Sequence, residues 1–544
     1  MYRTFLSIIL ITILSTPAHG QSIYKPTVDL DVVEQIVEEG TENSQVMEIA
    51  SWLTDVYGPR LTNSPQMRRA NQYVLEQLAE YGLENGALHK WGPFGAGWEL
   101  KKFAMHANTP HTYFPLTGFP KAWSSGHKKT VKGDVIHLKI ESEEDFENYK
   151  GTLKDKFVMV DFPPESEPAW DPVARRNSDE RLLNLANAAD RIQNARPQGP
   201  NPAAMARAQM RYQLEKFLQE EEPLAVLDYS YRGWYGQVAL SMASLPSEPG
   251  TPWLERPRAY QADAPKAIPQ VSLTREHYGR LFRLLEKGIP VTIEMDLKVE
   301  FHDDDLYGYN TVAEIPGTDP ELKDQVVMLG GHLDSWHSAT GATDNASGSA
   351  VMMEAVRILK SIGVEPRRTI RIALWDGEEQ GLHGSRNYVS DHFAEADGGF
   401  SDAENIQRKS AYDDFSAYYN IDNGTGQIRG IYLQQNENLR SLFRSWLQPF
   451  SEWDATTVSF SNTGGTDHLS FDRVGLPGFQ FIQDPIEYGT MTHHSNQDFY
   501  ERLVEQDLQR TAVIVATFVY HTAVLDEKLH RKESELEIPA SAAN

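Results

Sequence analysis

Two adjacent carboxylates, Glu378 and Glu379, stand where the apolar run "RIALWDG" stops. Ionised side by side in a confined site, they would repel each other. Similar chemistry closes other apolar runs of the chain. "VVMLGG" delivers His332, "AYYNI" delivers Asp422, the loop "TGATDNASG" carries Asp344, and "THHSNQD" carries His493 and His494. Imidazoles and carboxylates without sulfur suit zinc and, less exclusively, manganese or cobalt. Two ions of a two-metal site lie about 3.5–4 Å apart and share a bridging carboxylate and a water. Five ligands and one spare carboxylate are the parts such a site needs. One glutamate of the pair would coordinate metal, and its neighbour would stay free to take a proton from an activated water. The cations would also remove the repulsion. In "HLD", Asp334 fits the role of a carboxylate that orients the His332 imidazole without touching metal. His337, His383 and His392 end no such run and read as local surface or packing residues. The glycosylation-type triplets "NAS" at 345 and "NGT" at 423 adjoin proposed ligands and are taken as chance matches.

For these side chains to meet, the runs that carry them must lie together. From about residue 308 strand-like and helix-like patterns alternate: "DQVVMLGGH", "RTIRIALWD", "FSAYYNID" and "PGFQFIQ" read as strands. Helical patterns separate them, and "ERLVEQDLQRTAVIVATFVYHTAVL" closes the series. The expectation is an α/β fold with a mixed, mainly parallel sheet flanked by helices, whose ligands gather beyond the carboxyl ends of the strands. Residues 28–90 read as helical, from apolar residues at three- and four-residue spacing. Residues 125–300 carry short β-like runs between turn-rich segments, interrupted over 172–221 by a polar, Ala- and Arg-rich stretch that reads as two helices broken at "RPQGPNP".

Bulk properties exclude several classes. The 544 residues carry 77 acidic and 51 basic side chains, a formal charge of −26, which repels phosphate backbones and argues against a nucleic-acid partner. No cysteine is present, so disulfides, thiol catalysis and thiolate metal sites are excluded. Arg3, the apolar stretch "FLSIILITIL" and the small residues of "AHG" have the layout of a secretory leader cleaved before Gln21. Such a stretch is too short for a bilayer that needs about 20 residues, and no later run spans, so no stable membrane anchor is expected. The reading is a secreted or periplasmic protein, its leader at 1–20.

The segments "GGHLDSW", "TGATDNASGSA", "LWDGEEQGLHGS", "YYNIDNGTG" and "HHSNQDF" resemble, in order and spacing, the ligand segments of the aminopeptidase Y and glutamate carboxypeptidase family of co-catalytic zinc exopeptidases. The likeness is closest to its secreted plasma glutamate carboxypeptidase branch. It covers the N-terminal helical part and everything from about 300 to 525. "LKDKFVMVDF" and the stretch from "IPQVSLTREHY" to "VTIEMDL" resemble the family's inserted protease-associated domain, whose usual pattern lacks the 172–221 helices. The domain expectation is therefore 21–124 and 301–527 for the peptidase unit, 125–300 for the insert, and 528–544 for a loose tail.

The resemblance implies two zinc ions per chain, with Asp344 as the bridge. His332 and Asp422 would complete one site, and Glu379 and His494 the other. Glu378 would be the general base. His494 is chosen over His493 because the family's ligand precedes a Ser or Thr, here Ser495, with Asp498 three residues on. Phe499 departs from the family's usual Thr. A cis peptide at Asp344–Asn345 is also implied. The expected reaction is hydrolysis of a peptide bond next to a chain terminus. An aminopeptidase is the leading reading and a dipeptidase or carboxypeptidase the alternative. A non-catalytic binding protein of the same fold is a further one, disfavoured by six intact positions.

Overall fold

The computed structural model describes residues 28–163, 165, 168, 170–188, 201–233, 235–399 and 403–532. The leader at 1–20 and the tail beyond 532 lie outside the described residues.

Two eight-stranded sheets organise the chain. In the first, Thr369–Trp375, Val326–His332, Phe415–Asn420 and Gly478–Gln483 lie side by side and parallel. Gly308–Ile315 and Glu84–Trp91 extend it antiparallel on one side. Ile428–Tyr432 and Thr457–Ser459 extend it on the other. The four central strands are nearly continuous apolar runs because both faces are covered. Successive side chains alternate between the faces. Val327 and Leu329 enter one core with the almost wholly buried helices Ser347–Ser361 and Glu505–Val524. Val326 and Met328 enter the other with Trp375, Tyr388, Tyr418 and Phe471. This is the mixed α/β sheet flanked by helices that the sequence pattern predicts.

The helical reading of 28–90 holds for Leu30–Glu42, Val46–Ser51 and Pro65–Glu80, the last capped by Ser64, whose hydroxyl accepts from Met67 N. It fails at Glu84–Trp91, which is an edge strand paired with Gly308–Ile315. "ENGALHKW" has little β-propensity of its own; cross-strand pairing imposes the conformation.

The second sheet runs from Gly97–Asn108 to Thr292–His302 and encloses its own core around Phe157, Leu227, Val271, Ile293 and Met295. Its first strand starts upstream of residue 125. The 172–221 stretch contains the helices Asp179–Ala186 and Pro202–Glu221. An aromatic cluster of Trp91, Phe94, Trp98, Trp123, Tyr260 and Trp336 joins the two sheets. No helix among the described residues is long and apolar enough to cross a membrane.

Candidate active site

Because the four central strands run parallel, their carboxyl ends open on one edge of the sheet. His332 is the last residue of its strand, level with Trp375 on the neighbour. Glu378 and Glu379 follow Trp375 by three and four residues, and Asp422 follows Asn420 by two. Asp344 lies in the loop leading to Ser347–Ser361. That loop turns at Gly341, whose φ of 63° favours glycine. The Asp344–Asn345 peptide is cis. Asn345 is buried, and its Nδ2 donates to Ile421 O at 2.9 Å, so it is no glycosylation acceptor in this fold.

The candidate ligands converge. His332 Nε2 lies 3.2 Å from Asp422 Oδ1 and 3.4 Å from Asp344 Oδ1. On the far side of the same carboxylate, Asp344 Oδ2 lies 3.5 Å from His494 Nε2, which is 2.9 Å from Glu379 Oε2. His493 stacks on His494 at 3.8 Å between centroids, but its Nε2 is 4.0 Å from Asp344. The guanidinium of Arg232 faces its Nδ1 and donates to its carbonyl at 2.7 Å. His494 is thus nearer than His493 to both carboxylates.

Asp334 is buried, with its carboxylate turned mainly elsewhere than the adjacent histidine. It accepts from Glu378 N at 3.2 Å, Glu379 N at 3.3 Å and Thr62 Oγ1 at 2.9 Å. Its side chain lies 3.6 Å from His332 Nδ1, whereas its main-chain carbonyl is only 2.9 Å away. The backbone therefore orients the imidazole, and the carboxylate braces the glutamate pair. His337, His383 and His392 pack elsewhere: His337 is buried against Pro120 O, His383 stacks on Trp91, and His392 lies beside Tyr388.

Electrostatics describe a site short of positive charge. Burial pushes the Glu378 carboxyl well up, with Asp422, Asp467 and Glu379 adding to the effect. Burial, with Asp344, raises Glu379 to about 7, and burial raises Asp467 to about 8. Burial works against the charged form of His494, yet Glu379 and Asp344 lift it to about 9. Asp344 Oδ2 and Glu379 Oε1 are buried without a hydrogen-bond partner among the described residues. Unpartnered carboxylate oxygens, imidazole nitrogens facing them and surplus negative charge fit divalent cations of the zinc type. Two ligand groups, His332–Asp344–Asp422 and Asp344–His493–His494, have donor atoms close enough to share an ion, and Asp344 belongs to both.

Several residues of the centre carried no signal in the sequence. Arg60 is buried and donates to four carbonyls, Leu53, Leu333, Thr340 and Gly341, clamping the segments that carry Asp334 and Asp344. Asp467 and Tyr488 are brought in from outside the strand-end motifs. The Tyr488 hydroxyl lies 3.3 Å from Asp344 Oδ1 and 3.5 Å from Asp422 Oδ1. Asp498, which the resemblance had already marked three residues after Ser495, accepts from Thr343 N and Asp344 N, so the chain beyond His494 returns to brace Asp344.

A profile of peptidase family M28 matches residues 310–519. Carboxypeptidase Q of Pongo abelii is 30% identical over 540 residues, 94% of this chain and 96% of that protein. Aminopeptidase YwaD of Bacillus subtilis (strain 168) is 27% identical over 222 residues, covering 40% of this chain and 45% of the relative. Among solved structures, a peptidase M28 precursor from Shewanella amazonensis SB2B superposes with a TM-score of 0.62 at 20% identity, over 92% of this chain and 98% of that one.

Proposed function

The chain belongs to peptidase family M28 and is a metallopeptidase, and from that premise we propose that it is a zinc-dependent exopeptidase cleaving the peptide bond next to a chain terminus. The observation that carries this reading is the Asp344 carboxylate, one oxygen 3.4 Å from His332 and the other 3.5 Å from His494. A carboxylate facing two separate donor sets is the geometry of a bridge. His332 and Asp422 would hold one ion and Glu379 and His494 the other. Zinc bound there would polarise the scissile carbonyl and acidify the attacking water.

The chain's own groups then have distinct tasks. Glu378 takes the proton of the attacking water and delivers it to the leaving amine, so both transfers use one carboxylate. Asp334 fixes the backbone of both glutamates, which keeps the base and its ligand neighbour at a constant offset. Arg60 holds the loop of Asp344 at the Thr340 and Gly341 carbonyls, and Asp498 holds it at the Thr343 and Asp344 amides. The second sheet, from Gly97–Asn108 to Thr292–His302 rather than 125–300, is read as the family's protease-associated insert.

Glu378→Gln tests the assignment. Loss of a general base lowers turnover by about 10²–10⁴-fold, with metal content unchanged because Glu379, not Glu378, is the ligand. Near-parental turnover in the variant, or loss of metal along with activity, would overturn the division of roles. An aminopeptidase needs an acidic group for the substrate amine, and a carboxypeptidase or dipeptidase a basic group for the substrate carboxylate.

A further inference from the structure

A cavity of about 400 Å³ lies next to the metal centre and shares Tyr488 and Asn423 with its surroundings. Its size is that of a small-molecule site. Arg175, Arg176 and Arg181 line it, and no Asp or Glu does. In a chain of net charge −26, a cavity walled by three cations and no anion stands out.

All three arginines come from the stretch beginning at 172, which the family's usual pattern lacks. The stretch is stitched to the edge of the centre. Arg175 N donates to Ile486 O at 3.0 Å, and Thr490 Oγ1 donates to Val173 O at 2.6 Å. Arg176 donates to Asp507 at 2.7 and 3.1 Å and to Asp484 at 2.9 Å. Asn177 donates from its backbone to Asp484 and from its side chain to Gln483 O, both at 2.8 Å. Asp484 and Asp507 are buried, so they consume the charge of Arg176 and fix the loop. The guanidiniums of Arg175 and Arg181 make no hydrogen bond or ion pair with a described residue, and both remain available to a ligand. Gln483, also in the wall, is buried with its Oε1 unpartnered among the described residues, although its Nε2 donates to Gly424 O and Gly426 O.

We propose that this cavity is a specificity subsite for a carboxylate on the substrate, held by Arg175 and Arg181, with Gln483 Oε1 accepting a peptide N–H. The inference rests on the exopeptidase reading above and deepens it. The carboxylate is either the free C-terminus of a short peptide or the acidic side chain of the residue beside the scissile bond. Guanidinium forks match either one, in charge-assisted hydrogen bonds. A C-terminal carboxylate would make the enzyme a carboxypeptidase or dipeptidase.

The test is calorimetric binding to the full chain carrying Glu378→Gln, which slows turnover. Three probes are used: Gly-Gly-Leu, its C-terminal amide, and the C-terminal amide of Gly-Gly-Glu. We expect the leucine amide to bind weaker than at least one carboxylate-bearing probe by about tenfold or more. The probe that keeps its affinity identifies the source of the carboxylate. Arg175→Ala with Arg181→Ala should reduce that preference to near unity, and the double lysine variant should restore part of it. Equal binding of all three probes, or a preference that survives the double alanine change, would overturn the subsite. The exopeptidase reading fails separately, if the chain with Glu378 intact hydrolyses none of the unblocked peptides while the arginine-dependent binding persists.

Discussion

Replacing Asp334 by asparagine separates two ways in which that residue could serve the centre. The carboxylate offers two oxygens to three donors, Glu378 N at 3.2 Å, Glu379 N at 3.3 Å and Thr62 Oγ1 at 2.9 Å. Asparagine keeps the shape but presents one oxygen and one NH2. One glutamate N–H must then face a donor inside the protein, at a cost of about 1–3 kcal/mol, and the surviving bonds lose the assistance of charge, about 1 kcal/mol more. A destabilisation of roughly 2–4 kcal/mol, concentrated at the Glu378–Glu379 backbone, is enough to displace both side chains. Groups that brace metal ligands typically change metal affinity or activity by about 10–100-fold, and we expect Asp334→Asn to lie in that range. The His332 side should be spared, because its Nδ1 contact is with the main-chain carbonyl of residue 334, which asparagine retains. Metal counting after dialysis, in Asp334→Asn, Glu379→Ala and the double variant, provides the assay. If Asp334 acts through the glutamates, the double variant binds no less metal than Glu379→Ala alone. A double variant that holds no metal while Glu379→Ala still holds one ion would show that the carboxylate serves His332, and the reasoning would be refuted.

Two further predictions concern the scaffold. Burial holds the His337 imidazole down to about 4, below its ordinary value of about 6.5, while its bond to Pro120 O opposes the shift. A base with a depressed folded pKa favours the folded state above pH 6.5, and that stability is lost as pH falls from 6.5 towards 4, by about 3 kcal/mol in total. Urea unfolding at pH 7 and pH 5 should show the loss of stability in the parent and a smaller one in His337→Gln; an equal loss in both would contradict it. Gly330, in the middle of the Val326–His332 strand, has no room for a Cβ, which would run into the Ala373 carbonyl and approach Tyr418 at 3.3 Å. Gly330→Ala should cost about 3 kcal/mol or more, whereas Gly399→Ala, with nothing within 4 Å, should change urea stability by less than about 0.5 kcal/mol. Similar stabilities for the two variants would argue against the close strand spacing.

Much of the architecture was legible because it is encoded locally. A parallel strand buried on both faces must be a continuous apolar run, and such runs ended at His332, before Glu378–Glu379, and at Asp422. Their common direction, once assumed, brought the ends together. Where local preference was weak the reading failed, as at Glu84–Trp91, whose strand exists only through its partner Gly308–Ile315. Spacing also could not separate His493 from His494 without a resemblance. In the structure the difference depends on Glu379 and Arg232, which the fold brings in from distant parts of the chain.

The amino-acid order by itself determined the kinds of candidate ligand, the strands that present them and the absence of thiol chemistry, because residue type and periodicity are properties of short windows. Tertiary structure alone decided that the Asp334 carboxylate serves residues 44 and 45 positions away, and that Arg60 clamps the loop of Asp344. It also decided that a polar helical stretch with no legible purpose sets Arg175 and Arg181 beside the centre. That placement follows from Asp484 and Asp507, more than 300 residues on, buried where only the Arg176 guanidinium and a few other donors can satisfy them. A buried charge must find its partner wherever the chain supplies one, and such a pairing leaves no trace in local sequence.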